Sequence, residues 1–443
     1  RPNGFELDYP ASFFKRLQMQ PPPREGKYTV QLESILRNQN EQEQLRVFEQ
    51  IDEVLLRPWR REEFPAIARW LEHNKTPLAK IHDAVQRDRY FLPLLLTPGE
   101  TEANSHFPLG IPYLPGVYLC RDISRQLCAR SMLHLANANS KAAWKDLLAS
   151  YKLARLVGQG PTPDETLVGY TLESMTQETV LAFIQQTRPT PQTILSYRLA
   201  IDHLPPLPQV SQKINLAARC ACLEVILILS QGPQDLGSRL DLIPSAAGLA
   251  NITKMLEPVL SPDWDTALRT ANQWYDRTVA ALKLPNYSQY QRAIRKIRDE
   301  LSTYKPPSGD FLKTVQPKAK QRKIVSEIIG NLAVAIMLAD EINLSRTEWL
   351  IRQQGNNLQL ALALAAFRST HDRYPNQLSE LVPAYLKHIP PDIFSGKRPV
   401  YRRLKNGYHL YSVGPNQRDD GGQTGQNNPA ADDLPVRTPN PNP

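Results

Sequence analysis

The residues best suited to chemistry lie near the C-terminal end of this 443-residue chain. Between Ser412 and Asp433 stand Asn416, Asp419, Asp420, Asp432 and Asp433, in a glycine-rich frame. Calcium takes about six to eight oxygen ligands from carboxylates and flexible backbone, and this segment is rich in both. A solvated polar tail would have the same composition. The residues therefore leave two readings open, a calcium loop and a plain tail.

The remaining reactive types form no recognisable constellation. None of the 8 histidines stands in an HExxH helix or another paired-ligand spacing. No GxGxxG, Walker loop or GxSxG elbow occurs. Carboxylate groupings such as Glu62-Glu63, or Glu102 near His106, are not singled out by their spacing. The expectation is a non-enzymatic protein, with a hydrolase built on the helical part as the alternative. Cys120 and Cys128 lie eight residues apart on an expected helix, about 12 Å along its axis. Cys220 and Cys222 point to different sides of theirs. Neither local pair suits a disulfide or a metal site. Buried free thiols are expected, and a cross-helix bridge such as Cys120 to Cys222 is the alternative.

Lys and Arg outnumber Asp and Glu by 53 to 44, a net +9 that permits an anionic partner without requiring one. The densest basic stretch runs Arg292, Arg295, Lys296, Arg298, Lys313, Lys318, Lys320, Arg322, Lys323. Acids flank it and its second half has no interleaved aromatics, so it reads as a solvated helix face, and nucleic acid is not an expected partner.

Helices must position these residues. Apolar side chains recur at three- and four-residue steps from about Tyr28 onward, as in Leu45, Phe48, Ile51, Val54 and Leu55. The rhythm predicts helices at Val117–Leu135, Lys141–Val157, Asp164–Gln186, Gln192–His203, Val210–Gln231, Trp264–Leu284, Tyr287–Tyr304 and Lys318–Glu341. Prolines punctuate them as stops and stiff linkers. Residues Leu92–Pro115 read as a long loop, and 1–27 as an irregular Pro-rich segment. Ala129–Arg155 has some tetratricopeptide character, but no second copy follows at a 34-residue period. The stripe Trp264, Leu268, Ala271, Trp274, Tyr275 reads as core, with a ligand groove lined by Trp144, Trp264 or Trp274 as the alternative. The fold class is mainly α: an all-helical body at 28–345, a small α+β module at 346–414, and a polar loop and tail at 415–443.

The module has its own logic. The apolar run Leu358–Phe367 ends at Tyr374-Pro375, and a short helix is expected over Asn376–Leu386. Pro390-Pro391 stops that helix and Ser395-Gly396 turns the chain. Two alternating strands, Val400–Arg403 and Tyr408–Ser412, flank Lys405-Asn406-Gly407 as a hairpin.

This string resembles the globular part of the type II secretion major pseudopilin, pseudopilin G. The matching residues are Tyr374-Pro375, Leu378, Leu381, Pro390, Asp392, Phe394, Gly396, Tyr401 and Ser412-Val413-Gly414, then Asp419-Asp420-Gly421-Gly422 and Asp432-Asp433. It is also similar to the end of a group of large bacterial extracytoplasmic helical proteins. The match covers about a fifth of the chain and lacks the long apolar N-terminal helix of a pseudopilin. The resemblance implies the fold of the tail, an extracytoplasmic or envelope setting, and calcium held by Asp419, Asp420, Asp432 and Asp433, with Asn416 and Ser412 beside them. No apolar run reaches the roughly 18 residues of a membrane span, so a signal or membrane tether would precede Arg1. The functional expectation is an envelope scaffold or interaction component whose partners are other envelope or secretion proteins. A helical-array binder of a peptide or small ligand is the alternative.

Overall fold

The computed structural model describes residues 18, 28–92, 114–230, 262–304, 318–425 and 428–436. All but Gln18 of the expected segment 1–27, most of the expected loop Leu92–Pro115, and Lys313 lie outside these residues.

The fold is mainly α, with one small antiparallel sheet near the C-terminus. The helices are α1 (Leu32–Leu36), α2 (Glu41–Leu56), α3 (Pro65–His73), α4 (Lys75–Ala84), α5 (Pro115–Ala136), α6 (Ser140–Val157), α7 (Pro163–Thr187) and α8 (Pro191–Asp202). Then comes α9, which begins at Val210–Lys213, widens into a π turn at Ile214–Ala218 and continues through Arg219–Ser230. After it come α10 (Trp264–Leu282), α11 (Tyr287–Ser302), α12 (Lys318–Met337) and α13 (Ala339–His371).

Proline has a different role from the one its spacing suggested. Pro65, Pro115, Pro163 and Pro191 each open a helix. The first helical position has no use for an N–H, and the fixed φ of proline suits it. Polar caps reinforce these starts: Thr162 and Glu165 form a reciprocal capping box on α7, and Asn139 and Thr190 cap α6 and α8. The expected helix Lys318–Glu341 divides at Leu338 into α12 and α13.

Three apolar cores result, and α13 feeds all of them. The first joins α1 to α8 and includes Leu358, Leu362 and Ala366 of α13. The second joins α9 to α12 and includes Leu344, Trp349 and Ile351. The third is the core of the module and includes Leu360, Leu364 and Phe367. The run Leu358–Phe367 is apolar on nearly every side and must be covered so; the first and third cores cover it, while the second takes Leu344, Trp349 and Ile351. The stripe on α10 is core: Ala271 and Tyr275 are fully buried, and Trp274 donates to Asn331 Oδ1 at 2.7 Å. The residue 345/346 boundary falls inside α13, so the module grows directly from the body.

Within the module, β1 (Val400–Arg403) and β2 (Tyr408–Ser412) pair with Val400 opposite Tyr411 and Arg403 opposite Tyr408. Leu404 N–H closes the hairpin on Gly407 O at 2.9 Å. The expected helix Asn376–Leu386 is only a 3₁₀ turn, Leu378–Leu381. Pro383 has no N–H to continue it. A third strand, β3 (Leu434–Pro435), pairs with β2 at Ser412 and Tyr411. No alternation in residue order announces β3, which brings the segment after Gly414 back onto the sheet. Ala431, Asp433 and Val436 are buried there, which a plain solvated tail would not produce.

Candidate functional site

The acidic loop spans β2 to β3. Gly414 begins it with φ +68, and a Cβ there would lie 2.0 Å from the Asp432 carbonyl oxygen. Only glycine allows so close a return of the chain. Each aspartate is held by its own loop. Asp432 accepts the Asn416 N–H on both oxygens, at 3.0 and 3.2 Å. Asp420 Oδ2 accepts Asn416 Nδ2 at 2.8 Å and the Asp432 N–H at 3.3 Å. Asp419 Oδ1 accepts the Tyr411 hydroxyl at 2.9 Å and the Gly421 N–H at 3.0 Å. Asp433 Oδ2 accepts the N–H groups of Gly422 at 2.7 Å and Asp420 at 3.0 Å.

The six expected ligands do not assemble equally. Asn416, Asp420, Asp432 and Asp433 form one linked network, Asp419 stands beside it on the Tyr411 hydroxyl and the Gly421 N–H, and Ser412 sits in the ladder with its Oγ turned to the Gly414 N–H. Among the described residues no three His, Cys, Asp or Glu side chains are grouped so as to hold a metal ion. Two features nonetheless suit a hard cation. Asp433 is 1% exposed, yet its Oδ1 has no hydrogen-bond partner. Among the described residues, the ion pair to these aspartates comes from the exposed Arg346, whose Nη2 lies 3.5 Å from Asp432. Burial lifts the Asp433 carboxyl above its ordinary range; the Gly422 and Asp420 amides oppose this, and the charges of Asp420 and Asp419 add to it. Burial also lifts Asp432, with Asn416 and Arg346 opposing. The donors are all oxygen, as calcium requires.

Asp392 shows a buried carboxylate fully used. Its Oδ1 accepts the Phe394 and Ser395 N–H groups and its Oδ2 the Val413 N–H. This fixes the Pro391–Gly396 loop to the end of β2. The loop then docks on the body: Phe394 meets Tyr287 edge-on at 4.6 Å and Ile393 N–H reaches Gln353 Oε1 at 2.7 Å.

A second concavity lies at this junction. A cleft of about 600 Å³ runs between α6, α7, α8 and α13, and the Pro391–Gly396 loop closes one side. On its floor Arg155 grips Glu173 with two parallel bonds of 2.7 and 2.9 Å. The tryptophans expected to line a groove are elsewhere: Trp144 stacks on Tyr197 at 4.0 Å, and the cleft is bordered by Trp349 instead. Sequence reasoning missed this site because its residues come from six separated segments.

It also missed a buried polar centre in the body. Asp146 of α6 is 2% exposed and receives Arg130 of α5 at 2.6 and 2.8 Å, with His82 of α4 at 2.8 Å and His134 at 3.6 Å. Burial opposes the Asp146 charge, but the His82 and Arg130 hydrogen bonds outweigh it and hold the carboxyl below its ordinary range. All four cysteines are free. Burial pushes Cys120 and Cys222 up to about 12 and Cys128 up to about 11.

No family model, curated protein or solved structure matches the chain. Among the described residues no helix is long and apolar enough to cross a membrane.

Proposed function

We propose that this chain is a non-enzymatic extracytoplasmic scaffold or protein-interaction component, with a pseudopilin-like C-terminal cap braced by calcium. The observation that supports it best is Asp433: a buried carboxylate oxygen without a partner, in a loop of four aspartates that closes the cap. Calcium would offset the charge of four crowded aspartates, and Asp433, Asp432, Asp420 and Asp419 would hold it. Partners would be other envelope or secretion proteins. The rigid attachment of the cap through α13 suits such a role, since a surface on one end is then fixed relative to the other.

The test is thermal unfolding of the full chain, titrated with calcium after chelation. A melting temperature that climbs with calcium, and no longer does so in Asp433→Asn, supports the brace. A flat response at millimolar calcium removes calcium from the proposal. Recovery of envelope proteins on purification from the native source addresses the partner, and recovery of cytosolic proteins alone would count against it.

A further inference from the structure

We infer that the junction cleft is a binding site for a neutral polyhydroxylated ligand, a short saccharide. This rests on the cleft and not on calcium. The space, about 600 Å³, falls within the range of small-ligand sites. Two side chains that line it each carry a polar atom closed off from solvent and without a hydrogen-bond partner: the Tyr151 hydroxyl, on a fully buried side chain, and Gln177 Oε1, on a side chain 5% exposed. Turning the Gln177 amide over would only exchange an unmet carbonyl for an unmet N–H. Buried polar groups are normally paired, and an unpaired one is costly. A ligand hydroxyl can donate to a carbonyl oxygen and accept from a phenol with the same atom.

The charges around the cleft argue against an ionic ligand. Arg155 is committed to Glu173 and to the Pro205 carbonyl. Asp392 is consumed by three backbone amides. Asp202 takes Gln359 Nε2 at 3.0 Å. An anion would meet the Gln177 carbonyl and the Glu173 carboxylate on the floor. A cation would meet Arg155 there and Arg352, which lies over the Trp349 ring at 4.9 Å on the rim. The rest of the wall is largely apolar, with the side-chain amides of Asn286 and Asn356 set into it. Asn286 spends its Oδ1 on capping α11, which leaves its Nδ2 for a ligand oxygen. Asn356 spends its Nδ2 on Pro391, which leaves its Oδ1 for a ligand hydroxyl. The wall therefore offers both donors and acceptors, as a polyol requires.

The probes are maltose, cellobiose and di-N-acetylchitobiose, added to the full chain and followed by saturation-transfer NMR and calorimetry. At least one binds with a Kd of about 1 mM or tighter. Tyr151→Phe, which removes an unpaired hydroxyl and keeps the ring, weakens that binding about tenfold while the melting temperature stays level or rises. Asn356→Ala, on the partly exposed wall, weakens it in a chain that still melts cooperatively. Three results would each overturn the assignment: no saccharide bound at about 10 mM, binding unchanged in both variants, or tighter binding of a charged tripeptide at the same cleft.

Discussion

The body and the cap each bury an aspartate, and they treat it in opposite ways. Asp146 is 2% exposed and meets a guanidinium fork and two imidazoles, and its carboxyl is held below the ordinary range. Asp433 is 1% exposed and meets two backbone amides and other aspartates, and its carboxyl is lifted. The first is complete without help from outside the chain. The second keeps an unpaired oxygen, which is the state of a site that a cation would finish. Burial alone therefore says nothing about function; what matters is whether the chain itself supplies the counter-charge.

The largest expected effect comes from breaking the complete site. Arg130→Met strips the buried Asp146 of its guanidinium fork, leaving only the two imidazoles, and should cost about 3–5 kcal/mol in denaturant unfolding. Replacing Asp146 with Leu in the same chain should restore much of that loss. A failure of the double variant to recover would mean that Arg130 acts through packing rather than charge. Calcium is next: saturation at about one hundred times Kd adds about 2.7 kcal/mol to the wild type. Asp433→Asn should gain almost none of this, while its calcium-free stability stays equal or improves.

Acid should move the two regions in opposite directions. Asp432 and Asp433 have raised folded values, so the stability they allow is present below the unfolded carboxyl value of about 3.9 and is lost as pH rises through the folded value. Asp146 is depressed, so its contribution is present above about 3.9 and disappears as pH falls through the lower folded value. In chelator, amide exchange corrected for intrinsic rate should show the loop after Gly414 better protected near pH 4 than near pH 7. Protection in the loop that rises with pH instead would reverse the reading of those two carboxyls. The smallest effect is Arg346→Gln. Its contact with Asp432 is exposed on the arginine side, so calcium-free stability should change by less than about 1 kcal/mol. A loss as large as that from Arg130→Met would erase the contrast between the two sites.

Much of the architecture could be read from residue order. Three- and four-residue apolar steps locate α6, α7 and α8 to within a residue or two, because one buried stripe per helix leaves that mark. Lys405-Asn406-Gly407 marks the hairpin, because few sequences turn so tightly. The aspartates could be picked out as oxygen donors from their type alone. The sequence did not show the role of the opening prolines, since the same residue stops one helix and starts the next.

Residue order alone was enough for the mainly helical class, the hairpin and the chemical character of the acidic loop. These depend on local periodicity, turn preference and side-chain type, which are properties of neighbours along the chain. Long-range packing was needed to make α13 serve three cores, to let β3 draw Asp433 out of water, to bring Asp146 to Arg130 and His82, and to enclose a cleft between six segments. Those outcomes depend on which surfaces meet across tens or hundreds of residues, and packing rather than spacing selects them.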